Sequence, residues 1–185
     1  MFFHLKNRVL LRVSGADAEA FLQGQLSNDI KKLNNSSVQL NAYCQHQGKI
    51  LALFWVMRHE DSFLLSFPSD LLEVIKPRLQ IFVIMSDVVI EDVTKDYIQV
   101  GSIGETHQKA LAINEKLSLI ITNKQDISQF NMEPIEHWGM ACIESSLPEI
   151  FLMTSEKLVP QMLNLDIDEI GVNFSKGCYP GQEVV

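Results

Sequence analysis

Eight residues near the carboxyl end, Lys176-Gly177-Cys178-Tyr179-Pro180-Gly181-Gln182-Glu183, concentrate most of the chemistry that the chain offers. Glycines on either side of the Cys-Tyr-Pro step set a tight backbone path, which presents a thiol beside an ammonium and a phenol ring. If Pro180 opens a helix, Cys178 stands just before a helix amino terminus. The positive end of the dipole and the charge of Lys176 would then both favour the thiolate and make Cys178 a candidate reactive thiol. The plainer alternative is a small cysteine packed under a turn.

The remaining chemistry-bearing residues are scattered. Cys44, Cys142 and Cys178 are far apart with no C-x-x-C pair, so neither a disulfide framework nor a zinc or iron–sulfur ligand set is spelled out. Free thiols fit a reducing compartment, and a cytoplasmic location is expected. His4, His46, His59, His107 and His137 show no ligand spacing, so no metal site is expected. With 15 Lys plus Arg against 23 Asp plus Glu, the net charge of −8 argues against direct contact with a phosphate backbone. No charged leader with a cleavage site is visible at Met1-Phe2-Phe3-His4, and the longest apolar run, Ile50 to Met57, is too short to cross a bilayer.

The elements that must position these groups can be read from periodicity. Val9, Leu11 and Val13 alternate with Leu10 and Arg12 as in a half-buried strand, and Ala18, Phe21, Leu22 and Leu26 then fit one face of a helix capped by Ser14 or Asp17. Alternation at 38–44, the apolar run 50–57 and Ser62 to Phe67 predict an antiparallel meander with turns at Gln47-Gly48 and 59–61. Leu71, Leu72, Ile75 and Leu79 suit a helix that Pro77 would kink or shorten. Val88 and Ile90, Tyr97 to Ile103, and Leu117 to Thr122 read as further strands.

After Pro134, the spacing of Ile135, Trp138, Cys142 and Ser145 predicts a helix that Pro148 ends. A short helix at Pro160–Leu163 and an extended piece at 173–175 follow. The whole reads as an α+β fold over 1–185, one domain or two interleaved subdomains, with local antiparallel pairing rather than a doubly wound sheet.

Lys-Gly-Cys-Tyr-x-Gly-Gln-Glu at 176–183 resembles the signature of the YgfZ family of folate-binding proteins, relatives of the glycine-cleavage T-protein. Val13 to Ala18, Phe21 to Leu26 with Asp29, Gln47 to Ile50, Trp138 through Ile143-Glu144 to Pro148, and Pro160-Gln161 with Asn164-Leu165 agree in the same order. The resemblance implies an aminomethyltransferase-type fold with antiparallel sheets and flanking helices, and tetrahydrofolate or another reduced folate in a central cavity. It also implies service to iron–sulfur client enzymes or assembly proteins and, through them, to tRNA thiomethylation.

On this resemblance the folate contacts fall at Trp138, at Glu144 for the pterin edge, and at Arg8, where some relatives carry an aromatic residue. Ser146 stands where a glycine is common. The family's C-terminal β-barrel, which normally follows the octapeptide, is not expected within this sequence. The T-protein's paired aspartates after the Gly-x-Ile turn are replaced by Leu51 and Ala52, which cannot move a proton. A non-enzymatic folate-binding factor is therefore expected ahead of a one-carbon transferase or an interaction domain with a vestigial pocket.

Overall fold

A computed structural model describes residues 1–185, the side chain of Glu169 excepted. Nine strands and three α-helices follow one another as β1 (Phe2–His4), β2 (Arg8–Ser14), α1 (Ala18–Gln25), β3 (Gln39–Cys44), β4 (Ile50–His59), β5 (Ser62–Pro68), α2 (Leu72–Ile81), β6 (Val89–Asp92), β7 (Tyr97–Ile103), β8 (Ala110–Ala112), β9 (Leu117–Asn123) and α3 (Ile135–Glu144). The strands form two antiparallel sheets, one ordered β3-β4-β5-β2-β6 and the other β1-β7-β9-β8. This is the expected α+β class, with the meander β3-β4-β5 in place.

The larger sheet is built around β4. Its residues from Ile50 to Met57 are all buried, because β4 lies inside the sheet and both of its faces are covered. The expectation of a half-buried β2 is corrected in the same way. Arg8, Val9, Leu10 and Leu11 are all buried, since β2 is sandwiched between β5 and β6 and covered on each face.

The smaller sheet splits its side chains between two apolar clusters. Ile98, Val100 and Ile120 face Phe130 on one side, while Leu117 and Leu119 join Phe3, Trp138 and the main core on the other. α3 closes against this second face through Trp138, whose ring lies where a side chain on Gly101 of β7 would be, 2.7 Å from the Cβ position. The missing Cβ at Gly101 is what lets an indole approach the sheet so closely.

Three local readings differ from the structure. α2 runs through Pro77 to Ile81, because Pro77 is exposed while Leu71, Ile75 and Leu79 bury the opposite face, so water can meet the carbonyl that the proline leaves unbonded. Residues 173–175 form an Asx turn rather than a strand, the Ser175 N–H donating to Asn173 Oδ1 at 2.9 Å. β1 and β8, three residues each, carry too little alternation to be read and exist through pairing with β7 and β9.

Candidate functional site

The octapeptide is a clasp that turns one residue outward. Lys176 is buried, and its ammonium donates to the carbonyls of Gln23, at 2.6 Å, and Leu26. These oxygens lie at the carboxyl end of α1, where unsatisfied carbonyls and the negative dipole end favour a cation. Burial still pulls the Lys176 amine down to about 8, with Asp29 opposing. The Tyr179 ring is buried 5.2 Å from the ammonium, and burial pushes its phenol up to about 12.

Gly181 adopts φ +84, and a Cβ there would lie 2.8 Å from Gly48 Cα and run into the Gln45 carbonyl. The clasp therefore closes on the Gln45–Gly48 turn through two glycines set back to back. Gly177 has open space around its Cβ position, so its permissiveness is not used.

Cys178 is exposed between these inward anchors. The expected helix after Pro180 is absent among the described residues, where 180–184 are turns. The Lys176 ammonium is also drawn into the α1 cap. Neither the dipole nor the cation expected to act on Cys178 is therefore at hand, and what the clasp provides for this thiol is access.

Anchoring Lys176 to α1 also fixes the wall of a cleft. Ser27 Oγ donates to the Gly171 carbonyl, the Asn173 N–H donates to the Ser27 carbonyl at 3.0 Å, and Asn28 Nδ2 donates to the carbonyls of Leu40 at 3.1 Å and Ile170 at 3.2 Å. The Asn28 N–H in turn donates to the buried Asn41 Oδ1 at 3.0 Å. This knot ties the 165–173 loop to β3 and leaves a cleft of about 400 Å3 whose walls include Trp55, Leu147, Asn28, Lys32, Gln39 and Asn173.

Trp55 connects the cleft to the residues picked from sequence. The Arg8 guanidinium stacks over its ring at 3.7 Å from the centroid, and Trp138 meets it edge-on at 6.2 Å. Arg8 is fixed on its other sides: Nε donates to Ser66 Oγ at 2.8 Å, Nη2 to the Ser66 carbonyl at 3.0 Å, and Nη1 pairs with Glu149. Ser66 Oγ donates to Gln99 Oε1, and Gln99 Nε2 returns a hydrogen bond to the Arg8 carbonyl at 3.2 Å, so the ring of contacts joins the two sheets. Burial pulls the guanidinium down to about 9, still above neutral, and Arg8 meets Trp55 as a cation.

Among the described residues, Trp138, Glu144 and Arg8 do not themselves line this cleft. Trp138 and Arg8 stand behind Trp55, and Glu144 is exposed at the end of α3. Trp55 sits in a continuous apolar run, where a tryptophan reads as core, and at 2% exposure it is core while still touching the cleft. Leu51 and Ala52 are buried apolar residues of β4. Ser146 takes φ 54, and the Leu147 N–H returns to the Cys142 carbonyl at 2.9 Å, so α3 ends in a Schellman turn with serine in the left-handed place that favours glycine.

A protein of Haemophilus influenzae described as uncharacterized is 33% identical over 190 residues, spanning 100% of this chain and 67% of its own length. The tRNA-modifying protein YgfZ of Vibrio atlanticus is 27% identical over 209 residues, covering 100% of this chain and 64% of its own, and that of Colwellia psychrerythraea 25% over 208 residues, covering 95% and 63%. The chain thus spans about two thirds of the length of these relatives. No family model matches it. Among solved structures, a glycine cleavage system aminomethyltransferase T from Bartonella henselae aligns over 54% of this chain and 27% of its own at 17% identity, with a TM-score of 0.49, too loose to argue from. Relatedness along the whole of this chain to proteins named YgfZ, with the signature intact at 176–183, means that the chain belongs to the YgfZ family.

Proposed function

We propose that the Trp55 cleft binds a reduced folate and that the protein, through this site and Cys178, supports assembly or repair of iron–sulfur clusters and thereby tRNA thiomethylation. The observation that carries the reading is the composition of the cleft. It combines the edge of the buried Trp55, amides from Asn28, Gln39 and Asn173, the cation of Lys32 and the carboxylate of Asp168 in about 400 Å3, within the range of about 300–1,000 Å3 usual for small-molecule sites.

A pterin is planar with a donor–acceptor edge, and its glutamyl end is a carboxylate. Trp55 would lie beside the ring and Lys32 beside the tail, while the amides of Asn28 and Gln39, already held by the carbonyls of Leu40, Ile170 and Asp29, would form a fixed polar wall along the ring's edge. Arg8 and Trp138 hold Trp55 in place, and the Arg8 cation polarises its ring. In this reading Glu144 reaches the pterin only if the end of α3 turns inward on binding. A reduced folate supplies a carrier of one-carbon units; the chain's own residues bind and orient it.

Leu51 and Ala52 favour the non-enzymatic form of this reading over aminomethyl transfer, since no carboxylate stands there to move a proton. Among the described residues no helix is long and apolar enough to cross a membrane. The names of the relatives support the link to tRNA modification, and the exposed thiol supports contact with a cluster or a partner thiol.

Calorimetry with tetrahydrofolate tests the site, and saturable heat below millimolar ligand is expected. An absence of heat at millimolar ligand would favour a vestigial pocket. Rescue of tRNA thiomethylation in deficient cells by the intact protein, and not by Cys178→Ala, tests the role of the thiol. Folate-dependent release of formaldehyde or ammonia from an aminomethyl donor would instead establish a transferase.

A further inference from the structure

Away from the Trp55 cleft, two depressions share His4 and Lys6 on their walls. The larger, about 590 Å3, is lined by Ile127, Met132 and Ile135 with Asn7 and Glu133, and the smaller, about 370 Å3, includes Arg8, Tyr97 and Lys124. The larger is an apolar hollow that the local core does not fill. Ile98, Val100, Ile120 and Phe130 pack beneath, whereas Ile127 and Met132 are half-buried and Ile135 is 41% exposed. Its wall is anchored, because Met132 bridges Phe2 and the Glu133 N–H donates to the Phe2 carbonyl at 2.8 Å.

The ridge between the depressions is cationic in a protein of net charge −8. Among the described residues neither Lys6 nor Lys124 has an acidic partner, and the charge of Arg8 is taken by Glu149. Burial, and then the charge of Lys6, hold the His4 imidazole below its usual value. Glu133 is the acid among the residues that line the hollow. An apolar floor of ordinary ligand-site size with the Lys6 ammonium and the His4 imidazole on its wall matches a molecule with an apolar body and one anionic end.

We propose that this hollow and its His4–Lys6 rim form a second ligand site, for a small amphiphilic anion whose carboxylate or phosphate head sits at the rim and whose apolar body lies on Ile127, Met132 and Ile135. The site is separate from the Trp55 cleft and does not rest on the folate reading.

Calorimetry with octanoate, octyl phosphate and 1-octanol, together with NMR titration of the His4 imidazole, tests it. At least one anion should bind about tenfold more tightly than octanol and raise the His4 pKa, and comparison of the two anions identifies the preferred head. Lys6→Glu, an exposed change, should weaken anion binding by about tenfold while leaving octanol unaffected, and Ile135→Asp should weaken all three. Saturating tetrahydrofolate should leave octanoate binding unchanged. Equal binding of octanol and both anions, full retention by Lys6→Glu, no saturable heat at millimolar ligand, or displacement by tetrahydrofolate would each overturn the proposal.

Discussion

The guanidinium of Arg8 lies 3.7 Å from the centroid of the Trp55 ring while its Nη1 pairs with Glu149, so one buried cation both stacks on the cleft wall and ties the segment after α3 to β2. Arg8→Ala would strand Glu149 beside the core and should cost about 3 kcal/mol in urea unfolding. Arg8→Met with Glu149→Gln replaces the pair by groups that tolerate burial and should recover most of that loss. A double variant as unstable as Arg8→Ala would show that the pair contributes through something other than charge.

Trp55→Leu should weaken tetrahydrofolate binding by about tenfold and remove most ligand-induced quenching of tryptophan fluorescence. Trp138→Leu should cost more stability, because its ring fills the space over Gly101, yet change affinity less. The reverse ranking of the two affinities would move the folate contact from Trp55 back to Trp138.

The clasp predicts an asymmetry between its glycines. Gly181→Ala must place a Cβ against the Gln45–Gly48 turn at φ +84 and should cost about 2 kcal/mol or more. Gly177→Ala, with nothing within 4 Å, should fall within about 0.5 kcal/mol of wild type. Thermal unfolding of the two variants side by side provides the comparison.

Ser146→Gly should stabilise the protein by about 1 kcal/mol, a rise of about 2–4 °C in Tm, because φ 54 strains serine and not glycine. No change would mean that the serine hydroxyl offsets the backbone cost.

Lys176 supplies a pH signature. Its folded-state pKa of about 8 lies below the ordinary 10.5, so between these values the unfolded chain binds a proton that the native chain does not. Stability contributed by this group should rise with pH across that window. Tyr179, held up at about 12, and Cys44, also at about 12, act in the opposite direction above pH 9 to 10. The difference in stability between wild type and Lys176→Met, followed from pH 7.5 to about 9 by urea titration, isolates the lysine. A flat difference would mean that the two carbonyls hold its proton as firmly as water does.

The sequence by itself determined the strand at β2, though not its burial on both faces, together with the meander β3-β4-β5, the three helices and the identity of the octapeptide, because these depend on neighbours along the chain. Tertiary structure alone decided which way each group faces. Lys176 caps a helix more than 150 residues away in the chain instead of charging Cys178, and Tyr179 and Gly181 turn inward. Trp55, indistinguishable from its apolar neighbours in a continuous run, reaches a cleft because the pleat of β4 and the knot at Ser27–Asn28 leave space on one side of it. Local spacing carries no information about such encounters, which are set by which distant backbone carbonyls and side chains the packed sheets bring within hydrogen-bonding and van der Waals range.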